Sequence, residues 1–244
     1  MKQEYLKYIR DNVFPTAFCP GCGHGILLNA FVSALGELDY DQDNLVLVSG
    51  IGCGGWIASP HMNTDTLHTT HGRAIPFAIG VKLANPKLKV VVISGDGDLT
   101  TIGGNHLIHA ARRRIPITVI CGNNNIYGMT GGQASATTPV GAKTMTTPLG
   151  NDYRPFDLVK LVKGAGGEHV YRYTAFHAMQ MKKAFKDVLQ KDDFSFFDIL
   201  TGCPVQYGRR NELREPAKMI QWMKDNSVLY SGEYHDDKIM VGKF

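Results

Sequence analysis

Two kinds of residue in this 244-residue chain have types and spacings that could do chemistry: cysteines set on glycine-rich turns, and a Gly-Asp-Gly-Asp run followed by a triple asparagine. Cys19 and Cys22 stand three apart in "FCPGCGHG", Cys53 closes "SGIGC", and Cys203 precedes Pro204. Thiolates so placed suit a metal, and four sulfurs by themselves serve zinc and iron equally well. In "SGDGD" (residues 94–98), Gly95 and Gly97 let the backbone come close to a ligand, and Asp96 offers a carboxylate at the head of a helix, where phosphates also bind. A carboxylate beside a phosphate repels it unless a cation intervenes. Mg²⁺ is the natural candidate, taking one or two side-chain oxygens together with phosphate oxygens. Twenty-five residues separate Gly97 from Asn123. That is one helix and one strand, so a crossover returns "GNNN" to the same edge, where Asn124 can add an amide oxygen to the same cation. The G-x-G-x-x-G dinucleotide fingerprint is absent at both turns.

Four β-rich runs carry these residues: "NLVLVSGIGC" (44–53), "LKVVVISGDGD" (88–98), "IPITVICGNNN" (115–125) and "DFSFFDILTGC" (193–203). Between and around them, "HGILLNAFVSALGEL", "RAIPFAIGVKLAN", "GGNHLIHAARRR", "PFDLVKLVKGAG" and "TAFHAMQMKKAFKDVLQK" repeat their apolar residues at helical spacing. Nearly continuous apolar strands alternating with helices predict an α/β fold, a doubly wound and mostly parallel sheet covered on both faces. In such sheets ligands lie beyond the carboxyl ends of the strands, so Cys53, Asp96, Asn124 and Cys203 are expected along one edge. Turn preference explains Asp96 and Asn124 separately, but it has no use for cysteine at two strand ends. The Gly-, Thr- and Pro-rich stretch 128–155 is too irregular for an element, and loops of that length are commonly functional. The tail after Pro204 carries one helical pattern and no chemistry of its own.

Composition narrows the classes. At 43% hydrophobic, residues 1–244 are read as one domain with an N-terminal Cys-x-x-Cys segment and a C-terminal extension. A formal charge of +4 from scattered basic residues gives no nucleic-acid footprint. No window approaches the roughly 20 apolar residues needed to span a bilayer. The chain reads as cytoplasmic with no membrane partner, and an odd five cysteines in a reducing compartment speaks against structural disulfides. Cys121, inside an apolar strand, is expected to be a small buried hydrophobe.

The spacing from GDG to NN resembles the thiamine diphosphate motif. Together with "FCPGCGHG", "IGCGG", "HTTHGRAIPFA" and "NNNIYGMTGGQ", in that family's order from Cys19 to about Arg210, it resembles the β subunit of the 2-oxoacid:ferredoxin oxidoreductases. The resemblance implies a [4Fe–4S] cluster on Cys19, Cys22, Cys53 and Cys203, and Mg²⁺ held by Asp96, Asn124 and the backbone carbonyl of Ile126. It further implies thiamine diphosphate lined by Gly97, Asp98, Gly128 and Met129, approached from the cluster side by Ile51, Gly52, Cys53 and Gly54. His71 is carried over as the catalytic residue, facing the diphosphate or the reacting end. The implied reaction converts a 2-oxoacid, coenzyme A and oxidised ferredoxin into acyl-CoA, CO₂ and reduced ferredoxin. It also decides between iron and zinc, because an electron carrier has a use beside that cofactor.

Two departures from the family pattern matter. Where some members carry a lysine shortly after the third cysteine, "CGGWIAS" has Trp56 and no basic residue, so substrate contacts must come from elsewhere. Only the diphosphate-binding half of a thiamine enzyme is recognisable, so an α subunit carrying the pyrimidine-binding domain is the expected partner, with small ferredoxin-like γ and δ subunits and ferredoxin itself as further ones. The "NTDTLHTTHGRAI" stretch resembles 2-oxoglutarate and branched-chain enzymes more than pyruvate enzymes, which favours 2-oxoglutarate ahead of 2-oxoisovalerate or an aryl 2-oxoacid. The competing readings are a non-oxidative thiamine decarboxylase or synthase, and a zinc-braced binding module.

Overall fold

The computed structural model describes residues 2–235 and 237–244. In chain order its helices are α1 Gly23–Leu38, α2 Ala74–Ala84, α3 Gly104–Arg112, α4 Leu158–Gly164, α5 Ala178–Leu189 and α6 Pro216–Asp225. The strands are β1 Leu45–Ser49, β2 Asp65–His68, β3 Lys89–Gly95, β4 Thr118–Asn123, the short pair β5 Ile126–Tyr127 and β6 Gln133–Ala134, β7 His169–Thr174, β8 Ser195–Leu200, β9 Ser227–Leu229 and β10 Ile239–Lys243.

One sheet runs β2-β1-β3-β4-β8-β7-β10-β9. Its first six strands are all parallel; β10 turns antiparallel against β7, and β9 runs with β10 at the edge. The four β-rich runs read from the sequence become β1, β3, β4 and β8, neighbours in that order. Four further strands of this sheet escape the pattern: β2 "DTLH" and β9 "SVL" are short, partly polar and at the sheet edges, β7 "HVYRYT" carries a buried arginine, and β10 "IMVGK" ends in glycine and lysine.

Alternation along each strand feeds two cores. Leu47, Val91, Ile93, Ile120, Phe197 and Ile199 face α1 and α5, whereas Val48, Val90, Val92, Val119, Cys121 and Phe196 face α2, α3 and α4. Helix α1 buries Leu27, Leu28, Phe31, Val32 and Leu35 at helical spacing, and Phe31 and Phe185 of α5 meet edge to face at 5.7 Å between centroids. It stops at Asp39, whose left-handed φ of 45° ends the hydrogen-bond ladder. Residues buried on both faces of the sheet leave its carboxyl-terminal edge as the place for polar function.

Candidate active site

Three strand ends meet around a cleft of about 450 Å³. The turn after β1 supplies Ile51, Gly52, Cys53 and Gly54; the end of β3 supplies Asp96, Gly97 and Asp98; the turn after β4 supplies Asn124, Ile126, Gly128 and Met129. His71, from the turn between β2 and α2, completes the wall. Every residue expected to bind the thiamine cofactor or Mg²⁺ therefore lies on one cleft. Gly54 has no room for a side chain: a Cβ there would stand 2.6 Å from the backbone nitrogen of Gly95, so this turn rests directly on the end of β3.

The two carboxylates of "GDGD" do different work. Asp96 is buried, and burial pushes its carboxyl above the usual carboxylate range, opposed by the donors around it. The hydroxyls of Ser135 and Thr137 donate to Oδ2 at 2.6 and 2.7 Å, and the Asn124 N–H donates to Oδ1 at 3.2 Å. Asp98 braces loops instead. Its Oδ1 accepts the Ile51 N–H at 3.2 Å, the Gly72 N–H at 2.7 Å and the ring nitrogen Nδ1 of His71 at 2.5 Å, while Oδ2 is buried with no partner. Since that oxygen can only accept, His71 carries a proton on Nδ1, which leaves Nε2 as its second exchangeable site. Tyr127 packs its ring edge-on to His71 at 6.0 Å and donates its hydroxyl to the Gly97 carbonyl at 3.1 Å.

A second cavity, of about 740 Å³, is walled by Cys19, Cys22, Cys53 and Cys203 together with Phe18, His24, Trp56 and Gln206. It shares Cys53, Asn124, Gly128 and Met129 with the cleft, so the turns after β1 and β4 form a common wall between the two spaces. All five cysteines are free; Cys19 is exposed, Cys22, Cys53 and Cys203 are half-buried, and Cys121 is wholly buried among the core residues of α2 to α4. Burial pushes the Cys22 thiol up to about 12 and raises that of Cys53. The Gln206 N–H donates to Cys203 Sγ at 3.4 Å, at the start of the turn Pro204–Gly208. Among the described residues no three His, Cys, Asp or Glu side chains converge where one metal ion could sit.

Sequence reasoning missed His24, Tyr127, Ser135 and Thr137. His24 is fully buried against this cavity, its Nδ1 3.4 Å from Cys22 Sγ and its Nε2 3.3 Å from the Gly122 carbonyl; burial brings it down to about 4, so it is neutral. Its only signal was its place right behind Cys22. Ser135 and Thr137 lie in the irregular stretch 128–155, whose density of hydroxyls was the available clue. No helix among the described residues is long and apolar enough to cross a membrane.

Known proteins resemble this chain closely. Residues 50–199 match the family "Thiamine pyrophosphate enzyme, C-terminal TPP binding domain". A protein of Methanothermobacter marburgensis named 2-oxoglutarate synthase subunit KorB is 48% identical over 98% of this chain and 86% of its own length. The 2-oxoacid:ferredoxin oxidoreductase subunit beta of Saccharolobus solfataricus is 42% identical over 77% of this chain and 62% of its own. The solved 2-oxoglutarate:ferredoxin oxidoreductase from Magnetococcus marinus, with 2-oxoglutarate, coenzyme A and succinyl-CoA bound, superposes with a TM-score of 0.87 at 28% identity, covering 99% of this chain and 84% of that one. Identity of this order along nearly the whole chain, together with the same overall fold, means that the chain belongs to the β-subunit family of the 2-oxoacid:ferredoxin oxidoreductases.

Proposed function

We propose that this chain is the β subunit of a cytoplasmic 2-oxoglutarate:ferredoxin oxidoreductase, with residues 1–244 acting as one diphosphate-binding domain. One observation carries the reading: a cleft of glycines and oxygen donors shares a wall, including Cys53, with a cavity ringed by four thiols. Such adjacency suits a reaction that removes two electrons from a carbon centre and passes them on one at a time. The choice of 2-oxoglutarate is supported by the names of the M. marburgensis relative and of the M. marinus enzyme.

When bound, thiamine diphosphate would supply the electron sink for decarboxylation, Mg²⁺ would neutralise its diphosphate, and a [4Fe–4S] cluster would store single electrons. The residues present fit these groups. Asp96, Asn124 and the Ile126 carbonyl form a hard, all-oxygen donor set of the kind Mg²⁺ takes. Gly52, Gly54, Gly97 and Gly128 let backbone approach a diphosphate closely, beside Ile51, Met129 and Asp98. Cys19, Cys22, Cys53 and Cys203 line one cavity and offer four thiolates, the number a [4Fe–4S] cluster takes. His71, oriented by Asp98 through Nδ1, can hold or release a proton at Nε2 toward the cleft. Ile51 and Met129 stay 37% and 41% exposed at the mouth of the cleft. Exposed apolar groups there fit a cofactor whose other half is covered by an α subunit carrying the pyrimidine-binding domain. Small γ and δ subunits, coenzyme A as co-substrate and ferredoxin as acceptor complete the proposed assembly.

Anaerobic purification of the chain with its co-purifying subunits, followed by iron, sulfide and zinc analysis and low-temperature EPR after reduction, tests this directly. About four irons per chain with a reduced-cluster signal, and reduction of ferredoxin that depends on 2-oxoglutarate and coenzyme A, are expected. One zinc without iron would overturn the electron-transfer half; preference for a branched-chain or aryl 2-oxoacid would overturn the substrate.

A further inference from the structure

The Asp96 carboxylate is held by a chain of buried polar groups. Oδ2 accepts two hydroxyls, those of Ser135 and Thr137, whereas Oδ1 has only the longer bond from the Asn124 N–H. The single Thr137 hydroxyl proton is shared with a second acceptor, Oδ1 of Asn123 at the end of β4, at the longer distance of 3.2 Å. The Asn123 amide in turn donates to Asp198 on β8 at 2.9 Å, and Arg172 on β7 donates to the other oxygen of Asp198 at 2.8 Å. Arg172 also reaches Asp157, the residue that caps α4, at 2.5 Å. Thr137, Asn123, Asp198 and Arg172 are all buried, so this chain is shielded from solvent.

Two consequences follow from which oxygens are occupied. A carboxylate whose Oδ2 already holds two short O–H donors has its free lone pair on Oδ1, so it meets a cation with one oxygen in a set orientation. Both hydroxyls belong to the long irregular segment 128–155, which reaches back over some forty residues to hold them there.

We propose that Thr137, backed by the Asn123–Asp198–Arg172 chain, is the positioning residue of the cation site, and that its hydroxyl couples the folding-down of segment 128–155 to Mg²⁺ and thiamine diphosphate binding. The inference rests on the reading of Asp96 as a cation ligand. Coupling of this kind is reciprocal: bound Mg²⁺ firms the segment, and loosening the segment weakens Mg²⁺.

The test uses the full chain with its co-purifying subunits. Affinity for thiamine diphosphate is measured across a Mg²⁺ titration, and amide hydrogen exchange is followed in residues 128–155 with and without both ligands. Thr137→Val, which keeps shape and loses the hydroxyl, is expected to weaken Mg²⁺-dependent binding about 10- to 100-fold and to abolish the ligand-induced protection of the segment. Thr137→Ser should restore both. Ser135→Ala, removing the other donor to the same oxygen, should show the same loss in smaller degree and serves if Thr137→Val does not fold. Equal losses in Thr137→Val and Thr137→Ser, or wild-type behaviour of Thr137→Val and Ser135→Ala beside an inactive Asp96→Asn, would overturn the coupling. Mg²⁺-dependent binding that survives in Asp96→Asn would instead overturn the cation site itself.

Discussion

The cleft and the thiol cavity adjoin and share four residues, yet they are held in different ways. In the cleft, strand ends and hydrogen bonds fix the polar groups: Asp96 accepts three donors, Asp98 three more, and Asn124 Oδ1 accepts the Ile126 N–H at 3.2 Å. The thiols come from three separate turns, with Cys22 meeting His24 and Cys203 accepting the Gln206 N–H. One side is held by a dense set of hydrogen bonds; the other rests mainly on packing and on neutral groups such as His24. The lesson is that loss of one group should spare the other, because the two sets of supports are separate.

The strongest way to break that separation is Asp96→Ala. It is expected to abolish retention of thiamine diphosphate and Mg²⁺ while iron content stays near wild type, read by cofactor and metal analysis of the purified complex. Joint loss of both would show one cooperative unit. Next, Cys203→Ser should lower iron and sulfide content well below that of wild type with thiamine diphosphate binding retained, whereas Cys121→Ser, in the core, should leave iron unchanged. Equal effects of the two would dissolve the cage.

Within the cleft, His71→Gln should cost about 100-fold in turnover and less than tenfold in thiamine diphosphate affinity, because the ring is proposed to act on a proton and not to hold the cofactor. A parallel fall in binding and turnover would make His71 a binding residue.

The smallest effect concerns pH. His24 has its folded value down at about 4 against an ordinary 6.5, so protons favour the unfolded chain. Its contribution is intact above 6.5 and is lost as pH falls toward 4. For the Cys22 thiol, raised from 9.0 to about 12, the contribution in iron-free protein is intact below 9 and is lost as pH rises toward 12. Thermal unfolding of iron-free protein should therefore show a plateau between about 6.5 and 9, and His24→Gln should flatten the acid limb. An unchanged acid limb in that variant would remove His24 from the account.

Much of the fold was legible because burial on both faces demands long apolar runs. The runs around Leu47, Val91, Ile120 and Phe197 announced β1, β3, β4 and β8, and their chemistry-bearing ends were adjacent as the crossover rule requires. β7 was not legible, since Arg172 interrupts it and is tolerated only because Asp198 and Asp157 answer its charge. His24 looked like a helix-start residue, and nothing local to it told of the strand it packs on: a Cβ at Gly122 would stand 2.9 Å from its ring.

From residue types and spacing alone came the alternation of strands and helices, the gathering of Asp96 and Asn124 on one edge, and the presence of cysteines at strand ends, because each follows from local periodicity and one short crossover. The partners of those groups belong to the folded chain. Ser135 and Thr137 reach Asp96 across 39 and 41 residues, and Asn123 reaches Asp198 across 75. The contact of Asn123 with Asp198 depends on β8 entering the sheet between β4 and β7, a choice made by the packing of the whole sheet, and those of Ser135 and Thr137 on a long loop folding back over the end of β3; no stretch of neighbouring residues encodes either.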